Sequence, residues 1–116
     1  MERDEHIARC LKVLGPGQGW PEVHDFLDQY FDDAPGSAHR IILHHKMGVE
    51  IVVQKFGEAA RAAAELHIRD DLGGELPENP QDVWNRVRAW LHPHALGMAN
   101  AISSSLGLPQ AGPWCD

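Results

Sequence analysis

Residues 38–56 read Ala38-His39-Arg40-Ile41-Ile42-Leu43-His44-His45-Lys46-Met47-Gly48-Val49-Glu50-Ile51-Val52-Val53-Gln54-Lys55-Phe56. Apolar residues cover most of the helical circumference here, so the stretch predicts a helix at the centre of a bundle rather than on its surface. Yet it carries three histidines and an arginine, and groups of that kind are costly inside a core unless paired or coordinated. Gly48 costs helix propensity, which predicts a close helix crossing or a packed ligand. On the helical wheel His45 joins the apolar line and His44 sits with Arg40, Met47, Gly48 and Ile51. His39 points about 140° from His44 at 100° per residue, so one ion meets both only if the helix bends.

Working outward, the flanking segments are also helical. Ile7, Cys10, Leu11 and Leu14 fall at i, i+3, i+4, i+7, and Gly15 to Gly19 end that helix. Pro21 opens a second helix, expected to reach about Phe31, with Val23, Phe26, Leu27, Tyr30 and Phe31 as its apolar face. After Gly57 a fourth runs from about Glu58 to Leu72 and stops at Gly73-Gly74. Asn79-Pro80 caps a fifth, carrying Val83, Trp84, Val87, Trp90 and Leu91, and its tryptophans are read as core. Beyond Pro93, which His92 and His94 flank in an expected exposed turn, a sixth carries Ala95, Met98, Ala99, Ile102 and Leu106. No segment alternates as a strand would. The fold expected is all-α: one domain over residues 1–116, a compact bundle of five to six helices around a buried central one. Residues 1–106 form its core and 107–116 a surface coil.

Composition narrows the function classes. Apolar content of 43% and charged content of 23% are those of an ordinary globular protein. No run approaches a membrane span and the N-terminal residues do not read as a signal peptide, so the default is a cytoplasmic protein. Cys10 and Cys115 stand alone and read as reduced thiols. Residues 1–35 hold eight acids against three bases, a balance of −5 within an overall −7. That excludes direct nucleic-acid binding and leaves a basic protein partner as one expectation.

The chemistry-bearing residues are histidines and aspartates at helical spacing. His24 with Asp28 and His67 with Asp71 are i, i+4 pairs, which place both side chains on one helix face. Imidazole with carboxylate suits a divalent metal, zinc first and iron or manganese next. His44, His67 and Asp71 are the principal ligand candidates, with His39, His24 and Asp28 completing or supporting the site. Arg40 and Asp70 are the catalytic candidates. Arg40 would orient an anionic small-molecule substrate, and Asp70 is the i+3 alternative partner of His67.

The order of these motifs resembles a family of small bacterial and phage-borne proteins known only as a domain of unknown function. The resemblance covers about residues 6–84. It rests on His6 before a glycine-rich turn, His24-x-x-x-Asp28, His39-Arg40-x-x-x-His44-His45-x-x-Gly48, Phe56-Gly57, Glu65-x-His67-x-x-x-Asp71-Leu72-Gly73 and Asp82-Val83-Trp84. In that family asparagine can stand at the position of His45, which favours His44 as the ligand. A lysine is usual shortly after the second-helix aspartate, where this chain has Tyr30-Phe31-Asp32. The resemblance implies a clustered polar site and brings no established activity.

Three expectations follow. The first is a metal-binding helical protein, a metal-dependent hydrolase of a phosphorylated or nucleotide-like substrate. The second is an acidic interaction protein, such as a phage-encoded, anti-CRISPR-like inhibitor of a host defence complex. The third is a buried histidine network that only fixes helix register.

Overall fold

The computed structural model describes residues 1–113; Cys115 lies outside them. Seven α-helices account for the ordered elements, and no strand occurs among the described residues. They are α1 (Arg3–Leu14), α2 (Pro21–Leu27), α3 (Ala38–Leu43), α4 (Lys46–Phe56), α5 (Arg61–Asp71), α6 (Pro80–Val87) and α7 (Pro93–Ser105). Short 3₁₀ turns at Glu58–Ala60 and Arg88–Trp90 lead into α5 and out of α6.

The expected central helix is present but broken in two. Every residue of α3 except Arg40 is buried, and α3 packs on α4, α6 and α7. At His44 and His45 the chain leaves the helix, then restarts at Lys46. His45 has extended backbone and caps α4: its Nδ1 accepts the Gly48 N–H at 3.1 Å. Its Nε2–H donates to the Ile42 carbonyl at 2.8 Å. Both nitrogens are used by the backbone, and burial pushes the ring's pKa down to about 4. This bend accounts for Gly48. A Cβ there would lie 1.8 Å from the Leu43 carbonyl oxygen, so glycine is needed where the chain doubles back.

Two sets of elements flank α3. On one side α5 packs against α1, α2 and α4; on the other α6 and α7 close the core. Leu27, Ile41, Ile42, Leu43 and Ile68 are fully buried at the centre, each contributing about 1.5–3 kcal/mol relative to exposure.

Several faces differ from the periodicity reading. α1 buries His6 and Cys10 and leaves Leu11 exposed, because the helix turns toward α5. α2 ends at Leu27, four residues early, and Phe31 is exposed. α7 buries Leu96, Ala99, Asn100 and Ser103, while Met98 and Leu106 face outward. Trp90 is 76% exposed and therefore not core. His92 and His94 are exposed as expected, and His92 caps α7 by accepting the His94 N–H. The segment after α7 is not a loose surface coil. Asn100 clamps Ala111, donating to its carbonyl at 2.7 Å and accepting its N–H at 2.9 Å, and Ala111 is fully buried.

Candidate metal centre

α5 presents His67 and Asp71 one turn apart toward the interior, as their spacing requires. The bend after α3 swings His44 off the helix toward the same point. The C-terminal end of α2 supplies Asp28. One ligand atom from each of Asp28, His44, His67 and Asp71 falls within 4.8 Å of all the others. His44 Nε2 is 3.1 Å from Asp71 Oδ2 and 3.4 Å from Asp28 Oδ1. His67 Nε2 is 3.4 Å and 3.3 Å from the same two oxygens. A tetrahedron with its centre about 2.0–2.1 Å from each corner has edges of about 3.3–3.4 Å. These buried histidines and aspartates can hold a metal ion.

Hydrogen-bond bookkeeping strengthens the fit. The Gly19 carbonyl can only accept, so His24 Nε2, 2.8 Å away, must carry a proton and donate it. Trp20, in the left-handed region at φ 48°, makes the turn that follows this carbonyl. His24 Nδ1 faces His67 Nδ1 at 2.8 Å. A neutral His24 accepts there, so His67 Nδ1 is the donor. The His67 Nε2 lone pair is then left facing two carboxylates. A lone pair against two anions is repulsive unless a cation lies between them. The proton is a poor candidate, because burial pushes the His67 pKa down to about 4. Donation of the second ring N–H to a fixed partner is also how metal-bound histidines are commonly oriented.

Burial opposes the Asp28 and Asp71 charges, but the surrounding imidazoles outweigh it and hold both carboxyls well below their usual range. Burial also opposes charge on His44, yet its contacts with Asp28 and Asp71 raise its pKa. With neutral imidazoles the two carboxylates carry about −2; the Met1 ammonium at 3.1 Å and Arg40 Nη2 at 3.8 Å offset part of it at Asp71 Oδ1, while Asp71 Oδ2 and Asp28 Oδ1 face the imidazoles.

The other predicted residues take distinct places. His39 lies outside the four-atom group: its Nδ1 is 2.6 Å from the Gly36 carbonyl and its Nε2 3.2 Å from Asp28 Oδ1. His24 does not share a point with Asp28 despite the i, i+4 spacing; it reaches His67 instead, because α2 ends between them. Arg40 Nη2 lies 3.8 Å from Asp71 Oδ1. Asp70 is not brought to the centre. It faces away and pairs with Arg9 at 3.3 Å.

His6 is the residue that spacing did not select. Its ring stacks on His67 with centroids 3.7 Å apart, and its Nε2 lies 3.2 Å from Asp71 Oδ1. The available signal was Cys10, one turn along α1, which marks the same buried face. His6, His24 and His67 also bring nitrogens within 4.8 Å of one another. Their rings, however, are stacked at interplanar angles of 12–22°. An imidazole lone pair lies in its ring plane, so stacked rings cannot all aim at one ion. We read this trio as a buttress.

Two cavities adjoin the centre. One of about 310 Å³ is lined by Asp28, His39, Arg40 and Asp71 among others. The second, about 560 Å³, shares Arg40 and Asp71 with it. No helix among the described residues is long and apolar enough to cross a membrane. Comparison with known protein families, with curated proteins and with solved structures returned no match.

Proposed function

We propose that this chain is a small metal-binding protein acting as a metal-dependent hydrolase on a phosphorylated or nucleotide-like substrate. The observation that carries the reading is the placement of His67, whose Nδ1 lies 2.8 Å from His24 Nδ1 and whose Nε2 faces Asp28 and Asp71. Zinc suits this nitrogen and oxygen donor set most simply, and iron or manganese would also fit. With four protein donors around it, such an ion would take a water or phosphoryl oxygen only as a fifth position, where it would acidify the water or draw charge from the oxygen.

The remaining roles belong to the chain. Asp28, His44, His67 and Asp71 hold the ion, and the Gly19–His24 pair fixes the His67 tautomer. His39 packs beside Asp28. Arg40 stands between the two cavities, where a guanidinium can bind two oxygens of an anionic group. The test is hydrolysis of p-nitrophenyl phosphate by zinc- or manganese-loaded protein. Arg40→Ala should lower kcat/KM at least tenfold with metal content unchanged; turnover that survives removal of the metal would contradict the reading.

A second reading, an acidic interaction protein of the anti-CRISPR kind, is favoured by Asp32 and Asp33. Both are exposed, and neither forms an ion pair among the described residues. Charge reversal at these positions should then weaken capture of a basic partner in a salt-sensitive way, and unchanged affinity would count against it.

A further inference from the structure

The larger cavity carries a more specific assignment, which rests on the metal-hydrolase reading and names its substrate class. Two aspects of its wall are not explained by folding. The first is Trp90. Val83, Val87 and Trp90 would lie on one face of a continuous helix. Instead α6 ends at Val87, and the 3₁₀ turn at Arg88–Trp90 carries the indole out of the core and onto the cavity rim. It stays 76% exposed, beside apolar Leu72 and Val87. An exposed indole flanked by apolar wall is a surface for a flat ring.

The second is the distribution of charge. Arg86 Nη2 lies 3.5 Å from Glu75 Oε2 on this wall, presenting donors and an acceptor side by side. Arg40 forms the partition with the smaller cavity. The Nε atoms of both arginines are buried and have no hydrogen-bond partner among the described residues. A molecule laid from the metal centre across Arg40 therefore meets a cation first and then an aromatic platform with a mixed polar edge. A volume of about 560 Å³ falls within the range of small-molecule sites.

We propose that this cavity binds the base of a nucleoside monophosphate whose phosphate lies at Arg40 and the Asp28–His44–His67–Asp71 centre. Trp90 stacks on the base, and the Glu75–Arg86 pair reads its polar edge. A sugar phosphate without a base would leave the Trp90 side of the cavity unused.

The test is calorimetric titration of zinc-loaded protein with two phosphonates whose carbon–phosphorus bond resists hydrolysis: the adenosine monophosphate analogue and the ribose 5-phosphate analogue. Base stacking on an aromatic ring supports roughly a tenfold preference for the adenosine compound. Trp90→Ala should erase that preference while leaving the ribose compound's affinity in place, and Trp90→Phe should keep most of it. Equal affinities in the wild type, or a preference that survives Trp90→Ala, overturns the base pocket. Repeating the titrations after chelation separates the two claims. Affinities unchanged by chelation overturn the phosphoryl-centre reading and leave the base pocket standing. Affinities that fall together on chelation, with the two ligands never distinguished, overturn the base pocket and leave the centre standing.

Discussion

The Nδ1 atoms of His24 and His67 lie 2.8 Å apart in the buried interior, with the Gly19 carbonyl 2.8 Å from the far nitrogen of His24. One backbone oxygen thus sets the protonation of two imidazoles in series and leaves the outer nitrogen of His67 as an unprotonated lone pair. His24→Phe keeps an aromatic ring, slightly larger, but removes the acceptor. It should weaken metal affinity about 10–100-fold, as loss of such an orienting partner commonly does, with the fold retained. Zinc titration against a competing chelator measures this, and unchanged affinity would refute the relay.

Asp70 and Asp71 are neighbours in sequence with opposite roles. Asp71→Ala should abolish stoichiometric metal, whereas Asp70→Ala should leave it unchanged and disturb only the Arg9 pair, worth under about 1 kcal/mol near the surface. Metal content of the two purified variants, side by side, decides the point.

Metal binding should stabilise the fold. At a free concentration 100 times Kd the gain is about 2.7 kcal/mol. For a domain of 116 residues that is about 10 °C in Tm. A calorimetric melt with and without zinc reads this directly, and no shift would speak against a built site.

His45, whose two ring nitrogens are taken by the backbone, gives a pH dependence of its own. Its folded pKa is depressed by burial to about 4 from 6.5. The unfolded chain therefore takes up the proton first, and stability is full above about 6.5 and lost as pH falls toward 4. At pH 5 the loss from this ring is about 2 kcal/mol. His45→Asn keeps a side-chain acceptor for the Gly48 N–H and should reduce the loss between pH 7.5 and pH 5 by that amount. Urea unfolding at the two pH values tests it; an unaltered loss would contradict it.

Gly48 and Gly97 make a contrasting pair. Gly48→Ala would press a methyl into the Leu43 carbonyl and should cost about 3 kcal/mol or more. At Gly97, inside α7, a Cβ meets nothing within 4 Å. Gly97→Ala should stabilise by up to about 1 kcal/mol through helix propensity alone.

Much of this was readable from the residues. Periodicity and Pro/Gly punctuation placed the helices. The spacing of His67 and Asp71 held because both lie within one unbroken helix. His24 and Asp28 have the same spacing and diverge, because α2 ends at Leu27 and spacing cannot report where a helix stops. The break at His44–His45 escaped because histidine as an N-cap has no strong sequence signature. His6 escaped because its value lies in stacking on a residue 61 positions away. Trp90 was misplaced for a related reason: helical phase predicts burial only while the helix continues, and α6 ends three residues before it.

The central claim is that Asp28, His44, His67 and Asp71 converge on a metal ion. Its most direct test is elemental analysis by inductively coupled plasma mass spectrometry of tag-free protein, purified without chelator or a nickel column, alongside His67→Gln. The account predicts near one equivalent of zinc, iron or manganese in the wild type and none in the variant. Wild-type protein that carries no metal and takes up none on titration would contradict it, leaving the histidines a structural network.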